Sequence, residues 1–252
     1  MFFFSRSKNS KYSDFSAVGI DMHSHLIPGV DDGSKNVENS IELINGLKDL
    51  GFYHLITTPH TLEDIHPNTK ETLQLGHSLL KDHLPSGIKV DLSSEYYLDN
   101  QFHEQLSNDG LMPLPGNRLL VEFSQISRPR NLEEAIFAIG IKGYQVILAH
   151  PERYLFFHKH FDYLSRLKDL GVEFQLNALS LTKHYGMHIK SVAEKLIDKD
   201  MIDYLGTDTH HMQHIATLKQ VPGTKYFARL LDSGLLKNES LKQVPVSPAS
   251  GA

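Results

Sequence analysis

A short apolar run, a polar loop and a helical stretch recur at intervals of about 30 residues from residue 17 onward, and a rhythm of that length is the mark of β-α units. The apolar runs fall at residues 17–20, 53–58, 88–94, 118–121, 145–149, 172–177 and 202–206. Between them, helical spacing predicts a helix through Ile41, Leu43, Ile44, Leu47 and Leu50, with Gly51 as its stop. Further helices are predicted over residues 69–84, from an Asn131 cap through Ile141, and over 161–170, 188–199 and 226–236. No linker-like shift in composition interrupts the series, so residues 17–242 read as one domain. An arm, 1–16, precedes it, and a Pro/Ser-rich tail, 243–252, expected to be disordered, follows. A sheet that curls into a barrel would make its first and last strands neighbours.

The ends of these strands carry the chemistry. Asp21-Met22-His23-Ser24-His25 closes the first run, and side chains two apart on a strand share a face, so His23 and His25 can grip one ion. Asp208-Thr209-His210 closes the last run with the same geometry. The intervening strands end at His60, Glu95, Glu122, His150 and Asn177. A lone His or Glu at a strand end is usually a solvated surface group. Six of seven strands ending in a metal-ligand type at one rim is a different matter, because β/α barrels collect their active sites at that rim.

Composition narrows the chemistry. The chain has no cysteine, which excludes disulfides, thiolate-bound zinc and a Cys nucleophile. A formal charge of -5 gives no reason to expect nucleic-acid or membrane partners. Met1 to Phe4 is apolar, but Arg6, Lys8 and Lys11 follow too soon for a signal peptide, so a cytoplasmic location is expected. The apolar arm is compatible with self-association into a homo-oligomer. Sixteen histidines are many for 252 residues. Nitrogen and oxygen ligands together suit manganese, zinc or iron. Two ions about 3.5–4 Å apart make a nucleophile from water at neutral pH and clamp the oxygens of an in-line displacement. Metal-assisted hydrolysis of a phosphate ester or an amide is therefore the expected reaction class.

These residues resemble a known superfamily. His23-x-His25, Thr58-Pro59-His60, Glu95, His150 and Asp208-x-His210 are similar to the polymerase and histidinol phosphatase (PHP) superfamily. His23-Ser24-His25-Leu26-Ile27-Pro28-Gly29-Val30-Asp31-Asp32-Gly33-Ser34, Glu95-Tyr96-Tyr97, Val121-Glu122-Phe123-Ser124 and Ala149-His150-Pro151-Glu152-Arg153-Tyr154 look like its manganese-dependent bacterial tyrosine-protein phosphatases of capsule and exopolysaccharide synthesis. The resemblance implies an α/β fold, a distorted (β/α)7 barrel with a trinuclear site at the C-terminal rim of the strands. It implies that His23, His25, Glu95 and Asp208 hold one metal. Glu95, Glu122 and His150 would hold a second, and Asp32, His60 and His210 a third, with Asp32 preferred over Asp31 on motif register. Two or three manganese ions are implied, with iron, zinc or magnesium as alternatives. The implied substrate is the phosphotyrosine-bearing tail of a bacterial tyrosine kinase. Histidinol phosphatases tend to carry histidines in place of Asp32 and Glu122, which favours the tyrosine-phosphatase branch over a small-molecule phosphomonoesterase. A metal-binding module without catalysis is disfavoured because no ligand position is vacant.

Arg153, three residues past His150, is the candidate for the phosphate oxygens, because guanidinium offers a planar fork. With Asp208 it makes up the expected catalytic pair. Its bland alternative is a surface ion pair with Glu152. Arg128 and Arg130 are candidates for a basic rim, and Asn177 for a bond to substrate or to a ligand carboxylate. Asp21 is expected to orient a ligand imidazole. Tyr96, Tyr97 and Tyr154 are expected at the slot or its rim, and His211 is a weak candidate proton donor. His54, His66, His77, His83, His103, His158, His160, His184, His188 and His214 are expected at the surface.

Overall fold

The computed structural model describes residues 11–108 and 110–242. Its strands are β1 (Ile20–Asp21), β2 (His54–Thr57), β3 (His60–Thr61), β4 (Lys89–Leu92), β5 (Glu95–Tyr97), β6 (Arg118–Glu122), β7 (Gln145–Ala149), β8 (Glu173–Asn177) and β9 (Tyr204–Gly206). Every strand pair is parallel, and the strands form two sheets, β1-β2-β4 and β3-β5-β6-β7-β8-β9. The fold is mixed α/β with a curled parallel sheet. Two of the predicted runs are split. Pro59 has no N–H to give to a ladder and separates β2 from β3, and Ser93-Ser94 separates β4 from β5 at the same level. Hydroxyls stitch the break: Ser94 Oγ donates to the Pro59 carbonyl at 2.8 Å and lies 2.7 Å from Thr61 Oγ1.

The two ends of the strand series meet. Ser24 and Thr209 form an isolated parallel bridge, with Asp208 N–H donating to the His23 carbonyl and His25 N–H to that of Thr209. Below it, Asn238 stands between β1 and β9, its amide nitrogen donating to the carbonyls of Ile20 and Leu205 while its oxygen accepts from Leu205 N–H. Asp21 completes the seam by accepting from the Thr207 N–H and hydroxyl at 2.8 and 2.7 Å. The carboxylate expected to orient an imidazole ties the first strand to the last instead.

Alternation along each strand divides the apolar core into two layers. Ile20, Met22, Ile56, Leu120, Ile147 and Tyr204 fill the inside of the curled sheet. Leu119, Val121, Leu148, Phe174 and Leu205 face outward against the helices. Those helices are α1 (Val37–Asp49), α2 (Lys70–Ser78), α3 (Asn100–Ser107), α4 (Leu132–Ile141), α5 (Leu155–Lys159), α6 (Phe161–Asp169), α7 (Met187–Asp198), α8 (Met212–Leu218) and α9 (Lys225–Asp232). Helix α1 buries Ser40, Leu43, Ile44 and Leu47. It begins earlier than its apolar stripe because the Asn36 side chain accepts from Asn39 N–H, and Gly51 follows its last turn at φ +103°. Helix α2 ends at Ser78, with one 3-10 turn at Lys81–His83 in place of its predicted second half. Helices α3, α5 and α8 were not expected. Asn131 precedes α4 without a side-chain capping bond.

Phe15 is fully buried, stacked on Phe52 at 4.9 Å and edge-on to Phe227 at 5.1 Å, so the arm is part of the core by that point. Phe2 to Phe4 and the tail 243–252 lie outside the described residues. Among the described residues no helix is long and apolar enough to cross a membrane.

Candidate metal centre

The C-terminal strand ends bring three groups of potential ligands together, and within each the donor atoms lie within 4.8 Å of one another. His23, His25, Glu95 and Asp208 form the first, all buried. His25, Asp32, His60 and His210 form the second. His60, Glu95 and Glu122 form the third, and His150 Nε2 lies beside it, 3.0 Å from Glu95 and 3.8 Å from Glu122. Glu95 is the hub, with His23 at 3.1 Å, His60 at 3.2 Å and His25 at 3.5 Å. Two of these residues need unusual backbone: His150 at φ +34° and Asp208 at φ +52° occupy the left-handed region that non-glycine residues avoid. Such strain costs roughly 1–3 kcal/mol each and persists where surrounding structure enforces it.

A layer of polar groups aims the imidazoles. His23 Nδ1 is 2.8 Å from Gln175 Oε1, and Gln175 Nε2 is occupied by the Leu176 carbonyl. The amide oxygen must therefore accept from His23, leaving Nε2 bare towards Glu95. Asp31 does the same for His25, at 2.8 Å from Nδ1, while also accepting from the N–H groups of His60 and Gly33. Asp32 instead reaches across to His210 Nε2 at 3.3 Å and His60 Nε2 at 3.7 Å, and its side chain is 61% exposed. Partners of this kind fix tautomer and ring angle, and their loss usually lowers metal affinity by about 10–100-fold.

Electrostatics follow from the crowding of unlike charges. Burial pushes Glu95 and Asp208 up, yet the imidazoles around them, His23 foremost, hold both well below the ordinary carboxylate range. Burial likewise opposes charge on His25 and His60, and the adjoining carboxylates override it, lifting His25 well up and His60 to about 9. Asp31, although buried, is drawn down to about 2 by His25. A cation would replace these ring protons with a charge of the same sign. The donors suit one: nitrogen and oxygen only, with His60 Nδ1 buried, 3.0 Å from Glu122 and 3.2 Å from Glu95, and hydrogen-bonded to neither.

The groups line a cleft of about 320 Å³ shared by His60, Glu122, His150, Asp208, His210 and Arg153. Arg153 does not pair with Glu152. Its Nη1 donates to Asp208 Oδ2 at 2.7 Å and its guanidinium lies 4.7 Å above the Tyr185 ring. Burial disfavours its charge, but Asp208 more than compensates and raises its pKa. Glu152 is buried and accepts from Asn177 N–H and the Ser180 hydroxyl.

A family model described as capsular polysaccharide synthesis, CpsB/CapC, matches residues 19–227. The chain belongs to the CpsB/CapC family. It is 25% identical over 245 residues to the tyrosine-protein phosphatase YwqE of Bacillus subtilis, an alignment covering 91% of this chain and 96% of that protein. To the tyrosine-protein phosphatase CpsB of Streptococcus pneumoniae it is 24% identical over 202 residues, 77% of this chain and 83% of the relative. Among solved structures, a chain from the crystal structures of YwqE and CpsB, described as unique metal-dependent tyrosine phosphatases, superposes with a TM-score of 0.70 at 25% identity, covering 87% of this chain and 94% of that one.

Within this CpsB/CapC chain several candidates stand elsewhere than expected. Asn177 makes the carboxylate bond that was one of its two expected roles and does not line the cleft: its amide nitrogen donates to Asp208 and Tyr185, and its oxygen accepts from Leu179 N–H, which leaves it to position Asp208. Arg128 lies over the rings of Tyr163 and Phe156 with Nη1 on the Tyr163 hydroxyl, and neither it nor the exposed Arg130 lines the cleft. His211 packs against His214, 3.9 Å between ring centres, rather than into the cleft. Tyr96 and Tyr154 are buried, and only Tyr97 of the three reaches the cleft. Three histidines expected at the surface are not there: His54 is buried on Asp91, His214 is buried beside the Asp208 carbonyl, and His66 lines the cleft with its ring parallel to that of His60. Gln175 and Tyr185 are site residues that the sequence reading does not include, and Asp31, set aside there in favour of Asp32, orients His25. For Gln175 a signal existed, since it shares a strand face with Asn177.

Proposed function

We propose that this chain is a metal-dependent protein-tyrosine phosphatase of the cytoplasm, acting on the phosphotyrosine tail of a bacterial tyrosine kinase that regulates capsule or exopolysaccharide synthesis. The observation that carries this reading is three adjoining ligand groups, two of them sharing Glu95, beneath a cleft whose lining guanidinium, Arg153, stands beside Asp208. On this reading residues 17–242 form a single phosphatase domain, the strands amount to a distorted (β/α)7 barrel, and the centre sits at its C-terminal rim.

His23, His25, Glu95 and Asp208 would hold one ion, Glu95, Glu122 and His150 another, and Asp32, His60 and His210 a third, with manganese first and iron, zinc or magnesium as alternatives. Divalent cations there supply a nucleophile at neutral pH and neutralise charge on the phosphate oxygens. The residues do the rest. Gln175 and Asp31 present the bare ring nitrogens of His23 and His25 inward. Arg153, shared between Asp208 and the Tyr185 ring, offers its remaining N–H groups to two phosphate oxygens. Phenolate is a good leaving group, its conjugate acid having a pKa of about 10, so a dedicated proton donor is not required.

The test is the ratio of kcat/KM for a phosphotyrosine peptide over histidinol phosphate, measured on protein reconstituted with manganese after chelation. The expected ratio is far above one. A ratio far below one moves the protein to the small-molecule branch.

A further inference from the structure

One side of the cleft is occupied by neither the ligand groups nor Arg153. After β3 the chain makes a tight turn in which Leu62 and His66 exchange N–H to carbonyl bonds of 3.0 and 2.9 Å. Leu62, Ile65 and His66 from this turn, with Tyr97 from the end of β5, line the same cleft as Arg153, which follows β7 with β5 and β6 lying between. Ile65 is 67% exposed. Packing gives no reason for an isoleucine at the mouth of a site otherwise built of charges.

The turn is also braced. Glu63 N–H donates to Asp99, the Asn68 amide to the carbonyls of Val30 and His60, and the side chains of Gln101 and Gln105 to the Asn68 carbonyl. Helix α3 with its Asp99 cap, β3 and the loop carrying Val30 thus hold the apolar wall in place before any substrate arrives, which removes an ordering cost from binding. A flat hydrophobic group next to a phosphate is what such a wall fits: the anion is met from the Arg153 side, and the group esterified to it meets carbon from the other.

We propose that Leu62, Ile65 and Tyr97 form an aryl subsite that selects phosphotyrosine over alkyl phosphates. The proposal rests on the phosphatase reading above and assigns its leaving-group specificity to this turn. The experiment compares a phosphotyrosine peptide with a phosphoserine peptide of the same flanking sequence, on the manganese-loaded wild type and on Ile65→Ala, Ile65→Asp, Ile65→Val and Leu62→Ala. Removing one apolar contact from a subsite is worth about tenfold in discrimination. The aryl-to-alkyl ratio of kcat/KM is expected to fall by about that factor in each alanine variant and further in Ile65→Asp, with Ile65→Val close to wild type. Because Ile65 is mostly exposed, its variants leave the core intact. Binding gives a readout independent of turnover: phenylphosphonate should lose affinity in Ile65→Ala relative to methylphosphonate. Wild type that prefers phosphotyrosine while all variants keep its ratio overturns the aryl subsite alone. Wild type that hydrolyses neither peptide, or prefers phosphoserine, overturns the tyrosine-phosphatase reading and the subsite with it.

Discussion

Replacing Glu95 with Gln is expected to lower phosphotyrosine hydrolysis by more than about a hundredfold, the upper end of what changes one shell further out cost a metal site. The change keeps the volume of the side chain and removes one charge. That charge is shared by four imidazoles, those of His23, His25, His60 and His150, all within 3.5 Å. Metal content should fall with activity, because two of the three ligand groups contain Glu95 and no other carboxylate replaces it at the junction. Stability of the chelated protein should change less than the roughly 3–5 kcal/mol typical of a broken buried ion pair, since the imidazoles can give up the protons that Glu95 stabilises. Metal analysis alongside steady-state kinetics checks this. Full metal content with wild-type turnover in Glu95→Gln would remove the hub from the account.

The second large effect is expected at Arg153. Arg153→Ala should cost about 10²–10³ in kcat/KM, the range found when one preorganised donor to a developing anion is removed. Arg153→Lys should recover only part, because an ammonium lacks the planar fork and the stacking on Tyr185. A competing explanation is that Arg153 serves only to neutralise Asp208, to which it is bonded at 2.7 Å. The two separate under saturating manganese. If Arg153 contacts phosphate, the loss persists when the metal sites are full. If it acts only through Asp208, the loss disappears.

Much of the site was legible because two periodicities coincide. Strand ends recur with the β-α repeat; His23, Glu122, His150 and Asp208 stand at or just past those ends, and His60 and Glu95 open β3 and β5, the short continuations of β2 and β4, so the topology gathers them at one rim. What sequence could not convey were contacts made between residues far apart. Gln175 orients a ring 152 positions away, and Asn238 closes the seam between β1 and β9 across 218. Nothing local distinguishes Asn238 from a surface amide, and for Gln175 the only local sign is the strand face it shares with Asn177. Asp31 and Asp32 illustrate a finer limit: one reaches inward to His25 and the other across to His210, a difference made by the turn through Gly33. A Cβ on Gly33 would lie 2.3 Å from the His25 carbonyl oxygen. Arg128 is a candidate for the basic rim by its position in the chain, and it is held away from the cleft by Tyr163, a partner that only the folded structure brings beside it.

The most direct measurement is hydrolysis of a phosphotyrosine peptide by chelator-treated protein titrated with manganese, with bound metal counted in parallel. The account predicts negligible turnover after chelation and recovery that tracks the filling of two or three sites per chain. Undiminished turnover in protein shown to be free of metal would contradict it.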